Sequence, residues 1–403
     1  MVKSYCREVI DDHVSICCGM ENDMELREVY DIWKKCKNVS VFGLGHICKN
    51  SIEEVQKFSK INYILDNDPK LEGEEFKGIV VRHFSGKKEY LQEKILVSVH
   101  YKEIKQDLEN LGLQEDRDFC AIEKYITMME WYACTSLYLN EVHMSVTTKC
   151  SLNCQKCNMF MPYYKQPFHI ELDALKMDVD TLFEKVDIVS TFALLGGEPL
   201  LYPYMVELIE YISEKYSEKI GTIEIITNGT IIPNEKILVK LKSNNIFFRI
   251  SDYSRAIHYE DKLMQLREVL EKHEISYYIN SSLNWLDFGF PEKSICLEDE
   301  AVYQHMLDCA PAFKGLNDQK LYYCHIVWSA DKCGIYKEKL SDYIDLKKES
   351  REYIFSYLMG IMEKPVSLCK YCAGCSSDNQ NVIPVGLQQK RRKEIVENHG
   401  YCM

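Results

Sequence analysis

The sequence predicts an α/β fold built from two successive runs of alternating strands and helices. Three observations carry this prediction. Apolar strands ending at glycine or polar turns alternate with amphipathic helices through the first 120 residues, the alternation restarts near residue 140, and six of the 18 cysteines fall in two short triplets. A chain of 403 residues accommodates two or three domains with a substantial core. Hydrophobic residues at 46% and charged residues at 28% exclude wholesale disorder. A formal charge of −13 argues against a broad nucleic-acid surface, so no nucleic-acid partner is expected, and the run Lys390-Arg391-Arg392-Lys393 reads as a solvated helix face. No apolar run reaches bilayer-spanning length and the opening MVKSYCREVIDDHV lacks a signal-like apolar core, so no membrane association and a cytoplasmic location are expected. In a reducing cytosol such cysteine usage points to metal or redox chemistry rather than disulfides.

In the first run, Met24, Val29, Ile32 and Trp33 recur at helical spacing, and VSVFGLG reads as a strand entering a glycine turn. A helix with Ile52, Val55 and Phe58, the strand INYIL ending at Asp66, the strand ILVSV and a helix with Ile104, Leu108 and Leu111 follow. Gly43, Gly45 and Asp66 fall where a dinucleotide fold puts its phosphate turn and ribose carboxylate, with Cys48 at the third glycine position. This leaves two readings, a nucleotide site or a structural turn. Residues 1–135 resemble the small Rossmann-like domains attached to polysaccharide and sugar-biosynthesis enzymes. Cys6, Cys17, Cys18, Cys36, Cys48 and Cys120 lack metal-ligand spacing and read as packing residues.

The second run opens with the strand VHMSVTT, which leads directly into Cys150. Leu175, Val179, Leu182, Phe183 and Val186 trace a helix face, and DIVSTFALL is a strand stopping at Gly196-Gly197-Glu198-Pro199. A helix with Met205, Leu208, Ile209 and Ile212, the strand TIEIITNGT, the strand NIFFRIS, a helix with Leu263, Leu266, Val269 and Leu270, and the strand ISYYIN follow. This alternation predicts a partial parallel (β/α) barrel over residues 136–300, with its chemistry at the C-terminal strand ends.

Cys150, Cys154 and Cys157 are spaced CxxxCxxC just beyond a strand, so one compact loop can present three thiolates to a cubane iron–sulfur cluster and leave the fourth iron open. A zinc site would need a fourth ligand; His143, the closest upstream histidine, falls within the strand. With CSLNCQKC, GGEP, TNGT and RIS in this order, the chain resembles the radical S-adenosylmethionine (SAM) superfamily over roughly residues 140–290. The resemblance implies a partial (β/α)6 barrel. It also implies a SAM-binding [4Fe-4S] cluster on Cys150, Cys154 and Cys157, and SAM cleaved reductively to a deoxyadenosyl radical. Gly196, Gly197 and Glu198 would meet the methionine amino group, Asn228 and Ser251 would line the ribose or carboxylate side, and a flavodoxin or ferredoxin-type donor would supply electrons. The family usually has an aromatic residue before the third cysteine; here Lys156 stands there, which transfers adenine packing to Phe160 or another side chain.

Cys309, Cys324, Cys369 and Cys372 can complete a closed cluster, with Cys375 and Cys333 as substitutes and structural zinc as the competing occupant. The pattern is similar to the twitch extension of radical SAM enzymes, a smaller relative of SPASM, and implies an auxiliary [4Fe-4S] cluster within residues 301–403. It resembles the extension of deoxy-scyllo-inosamine dehydrogenase and related aminoglycoside epimerases. That resemblance implies hydrogen abstraction from a carbinol carbon of a sugar, cyclitol or nucleotide-linked sugar, leading to oxidation or epimerisation. The catalytic side chain is not identified by sequence. The alternatives are a peptide maturase that crosslinks or oxidises side chains, and a non-enzymatic iron–sulfur sensor or SAM-binding protein.

Overall fold

The computed structural model describes residues 15–84, 93–99, 101–309, 313–375 and 378–389, and side chains from residue 24 onward. The basic run at 390–393, Cys6 and the side chains of Cys17 and Cys18 lie outside the described set. The chain divides into two compact units, residues 1–140 with 350–363, and residues 141–349 with 364–403.

The first unit contains α1 (Ser15–Trp33), β1 (Asn38–Phe42), α2 (His46–Gln56), β2 (Lys60–Asp66), β3 (Glu75–Phe76), β4 (Ile79–His83), β5 (Lys94–Val97), α3 (Tyr101–Asn110), β6 (Phe119–Ala121) and α4 (Ile122–Cys134). The helix predicted near residues 24–36 buries Leu26 and Trp33, seven residues apart, whereas Met24 and Ile32 are exposed. Two helical turns therefore separate its anchors, and the expected face is rotated. The sheet runs β3-β4-β2-β1-β5-β6, with every pair parallel except β3–β4. The chain moves outward from β1 in one direction through β2 and β4, then restarts on the other side with β5, which makes the end of β1 a topological switch point.

Gly43 occupies that end with φ +96, where a Cβ would stand 2.2 Å from Val99 Cγ1. The Asp66 carboxylate accepts the Leu44 N–H at 2.9 Å and the Asp68 N–H at 2.9 Å. It thereby ties the glycine turn to the end of β2. Cys48 is fully buried on α2 and burial pushes its thiol up to about 12, as befits an inert packing residue.

The second unit is organised around an eight-stranded sheet. From residue 138 onward the chain forms β7 (Tyr138–Thr147), α5 (Leu172–Phe183), β8 (Ile188–Gly196), α6 (Met205–Tyr216), β9 (Ile220–Thr227), α7 (Glu235–Ser243), β10 (Phe247–Ser251), α8 (Ser254–Ile257), α9 (Glu260–Lys272), β11 (Tyr277–Asn280), β12 (Asn284–Leu286), α10 (Asp299–Cys309), β13 (Phe313–Asn317), β14 (Lys320–Tyr322), α11 (Ile326–Cys333), β15 (Tyr343–Asp345), α12 (Arg351–Leu358) and β16 (Val382–Pro384). α12 alone belongs to the first unit, where Phe355 stacks on Trp131 with ring centroids 4.8 Å apart.

The main sheet runs β11-β10-β9-β8-β7-β13-β14-β15. β8 to β11 are parallel, and β7 is nearly continuously buried, as a strand covered on both faces must be. β13 pairs parallel with β7 on the side away from β8. β13–β15, from the segment expected to form a separate extension, continue this sheet. The predicted helix faces are largely the buried ones: Leu175, Val179, Leu182 and Phe183 on α5, with Val186 buried just beyond it, Met205, Leu208, Ile209 and Ile212 on α6, and Leu263, Leu266 and Leu270 on α9, where Val269 is half-buried.

Candidate active site at the strand ends

β7 ends at Thr147 and delivers Cys150, Cys154 and Cys157 on the loop beyond it. Burial raises all three thiols, Cys154 to about 12, and each is raised further by, or itself raises, a neighbour in the triplet. Each sulfur also meets N–H donors. Leu152 N–H donates to Cys150 Sγ at 3.4 Å and Asn228 Nδ2 approaches it at 3.6 Å. Gln388 Nε2 donates to Cys154 Sγ at 3.1 Å, and the backbone N–H groups of Met159, Phe160 and Met161 are directed at Cys157. Buried thiols grouped together and supplied with donors are prepared to carry negative charge once a cationic centre compensates it. This fits an iron–sulfur cluster.

The two glycines of the GGEP loop are required by the cysteine loop itself. A Cβ on Gly196 would lie 2.1 Å from Thr147 O, and one on Gly197 would lie 2.3 Å from Lys149 O and 2.9 Å from Cys150 Cβ. Gly197 N–H donates to Thr147 O at 2.8 Å and Glu198 N–H to Lys149 O at 2.9 Å, which fastens the end of β8 to the start of the loop. Glu198 is fully buried. Its carboxylate accepts the Leu200 N–H at 3.1 Å, the Thr227 hydroxyl at 2.8 Å and the Asn228 N–H at 2.9 Å, while burial pushes its pKa up to about 7. Asn228 reaches Ser151 Oγ at 3.1 Å in addition to Cys150. Ser251 ends β10, and the Tyr259 hydroxyl donates to the carbonyls of Asn228 at 2.8 Å and Ser251 at 3.2 Å. Tyr259 thus holds two strand ends together, and sequence reasoning did not single it out.

Lys156, at φ +56, forms ion pairs with Asp287 at 3.2 Å and Glu292 at 2.8 Å. Phe160 is buried, with Phe290 at 5.8 Å and Tyr163 at 6.3 Å between ring centroids.

A second group of thiols lines one cavity of about 170 Å³: Cys309, Cys324, Cys369, Cys372 and Cys375. One water needs roughly 10–15 Å³ by this kind of measure, so the space suits a multi-atom group rather than a bare ion. Among the described residues no three His, Cys, Asp or Glu side chains converge tightly enough to hold a single metal ion. Cys309 and Cys375 sulfurs are 3.2 Å apart, and the N–H groups of Gly374 and Cys375 approach Cys372 and Cys309 sulfurs at 3.4 Å each. Cys375 therefore joins the four expected cysteines. Cys333 does not; it packs near Met159, Met161, Tyr164 and Leu195, beside Cys150 and Cys157.

The sheet also carries a largely buried polar set whose assembly the sequence did not announce. His143 Nε2 and Glu141 Oε1 are 2.5 Å apart, and Arg249 joins Glu141 at 2.9 Å to Glu224 at 2.5 Å. β10 and β7 are separated by β9 and β8 in the sheet order, so the Arg249–Glu141 contact reaches across two intervening strands. His143 stacks on Phe313 at 4.3 Å, and its Nδ1, like that of His325, is buried without a hydrogen-bond partner among the described residues. His143 is thereby accounted for inside the strand, away from the cysteine loop.

Residues 144–291 match the radical SAM superfamily. The chain carries a radical SAM domain, and its CxxxCxxC loop, GGEP loop and TNGT strand end lie inside the matched span. No curated protein matches the chain significantly. Among solved structures it is similar to native anSMEcpe with bound AdoMet, at 22% identity over 34% of this chain and 43% of that one, with a TM-score of 0.30. It is also similar to BtrN in complex with AdoMet and 2-DOIA, at 16% identity over 64% and 98%, TM-score 0.40. A third is SuiB from Streptococcus suis bound to S-adenosylmethionine, at 15% identity over 45% and 44%, TM-score 0.29. The matched region spans less than half of these anSMEcpe and SuiB chains. Among the described residues no helix is long and apolar enough to cross a membrane.

Proposed function

We propose that the protein is a radical SAM enzyme that oxidises or epimerises a carbinol carbon of a sugar, cyclitol or nucleotide-linked sugar, with one auxiliary [4Fe-4S] cluster. The observation that carries this reading is the cavity lined by five thiols, a second redox-capable site in the same unit as the CxxxCxxC loop. When bound, the first cluster and SAM would supply a deoxyadenosyl radical, and the auxiliary cluster an acceptor for the second electron of an oxidation.

The chain's own residues have separable tasks. Cys150, Cys154 and Cys157 would hold the first cluster; Cys309, Cys324, Cys369 and Cys372 would hold the second, with Cys375 beside them. Gly196 and Gly197 let β8 approach the cysteine loop, and Glu198, Asn228 and Ser251 would position SAM through its amino, ribose and carboxylate groups. Glu141, His143 and Glu224 are buried and Arg249 half-buried, an array of donors and acceptors that would suit a small polyhydroxylated molecule. We read the first unit as Rossmann-like and its strand order as supporting that reading.

The test is product mass in deuterated water across free and nucleotide-linked sugars and cyclitols. Loss of two hydrogens indicates oxidation, and deuterium incorporation at unchanged formula indicates inversion. Unchanged recovery across the panel together with nanomolar leader-peptide binding would replace this reading with a peptide maturase.

A further inference from the structure

The most unexpected neighbour of the cysteine loop comes from the far end of the chain. After β16 pairs antiparallel with β12, residues 386–389 run alongside Asn153–Gln155 as a short antiparallel strap. Gln155 N–H donates to Leu387 O at 2.6 Å and Gln389 N–H to Asn153 O at 2.9 Å. The Gln388 side chain faces the loop and uses both ends of its amide: Oε1 accepts the Asn153 N–H at 2.8 Å, and Nε2 donates to Cys154 Sγ at 3.1 Å and to Gly386 O at 2.7 Å. These contacts fix which end of the amide is the donor, since only the NH2 group serves both a sulfur and a carbonyl.

The strap is held on its other side as well. Gly386 adopts φ +70, and a Cβ there would stand 2.6 Å from Tyr253 Cβ. Tyr253 follows Ser251 at the end of β10, and its ring packs edge-on against Trp285 of β12 at 5.3 Å. Residues 386–389 are therefore wedged between the end of β10 and the cysteine loop, with no room for displacement towards Tyr253.

We propose that residues 386–389 anchor the cysteine loop and that Gln388 is a positioning residue that tunes the SAM-binding cluster through the Cys154 sulfur. The proposal rests on the reading of Cys154 as a cluster ligand. An N–H donated to a cluster thiolate draws negative charge from the sulfur and favours the reduced cluster, so removing it moves the reduction potential in the negative direction. The same strap follows Cys369, Cys372 and Cys375 in the chain, so it ties the segment carrying the second thiol group to the loop carrying the first.

The test uses the full chain, reconstituted anaerobically, with iron per chain and the potential of the SAM-responsive paramagnetic signal as readouts. Gln388→Glu keeps Oε1 for the Asn153 N–H but loses the amide donor, and Gln388→Leu loses both contacts. The expected result is unchanged iron with a more negative potential for Gln388→Glu, and for Gln388→Leu either the same shift or loss of the SAM-responsive cluster. Wild-type iron and wild-type potential in both variants would overturn the role of Gln388 while leaving the cluster reading intact. A wild-type chain that binds no SAM-responsive cluster would overturn the cluster reading and this inference with it.

Discussion

The two groups of cysteines in the second unit are built in different ways. Cys150, Cys154 and Cys157 sit on one loop of eight residues, bonded to the strap at 386–389 and preceded by Thr147 and Lys149, whose carbonyls accept the Gly197 and Glu198 N–H groups. Cys309, Cys324, Cys369, Cys372 and Cys375 come from the end of α10, the end of β14 and the turn after residue 366, and meet only because those elements enclose a common cavity. A site held within one loop depends on local backbone geometry. A site assembled from distant elements depends on the packing of the whole unit.

This contrast is broken most severely by Cys154→Ala, which is expected to remove about four iron atoms per chain and abolish reductive deoxyadenosine formation. Retained formation would separate this cluster from the chemistry. Next in size is the double change Cys369→Ser and Cys372→Ser, expected to remove about four iron atoms while deoxyadenosine formation persists and substrate oxidation is lost. If the first cluster is lost as well, the two groups are not independent.

Gly197→Ala sharpens the comparison from the loop side. The new Cβ would collide with Lys149 O, and an overpacking cost of about 1–3 kcal/mol is expected. Thermal denaturation should report it together with weaker binding of the first cluster, while the auxiliary iron is retained. Wild-type stability would mean that the loop shifts freely.

The smallest effect tests the assembled side. Asp178 on α5 accepts the N–H groups of Asp318 at 3.1 Å and Gln319 at 2.6 Å in the β13–β14 turn, which leads towards Cys324. Burial raises its pKa from 3.8 to about 7, partly opposed by those bonds. A raised folded-state pKa favours the neutral form in the fold, so its contribution is fully present below about pH 4 and is lost as pH rises through 7. Asp178→Asn should flatten that part of the stability–pH profile; an unchanged slope would assign it to other groups.

The same distinction explains how much the sequence disclosed. The CxxxCxxC loop, the GGEP turn and the helix faces of α5, α6 and α9 were legible because each is a local pattern with a fixed period or spacing. Cys375 could be named only as a substitute, since spacing does not reveal which thiols share a cavity. Gln388 gave no signal at all, because its role arises from pairing across 234 residues. His143 was legible only as a rejected metal ligand, and its grouping with Glu141, Glu224 and Arg249 was not legible, because these residues lie on three separate strands. On α1, the expected face failed at Met24 and Ile32 because a seven-residue spacing was enough to anchor the helix.

The central claim is two iron–sulfur sites of unlike construction on one chain. It is tested most directly by iron, acid-labile sulfide and zinc per chain after anaerobic reconstitution. About eight iron and eight sulfide without zinc is the predicted result. About four of each with one zinc retained would make the five-cysteine cavity a structural metal site and contradict the account of oxidation drawn from it.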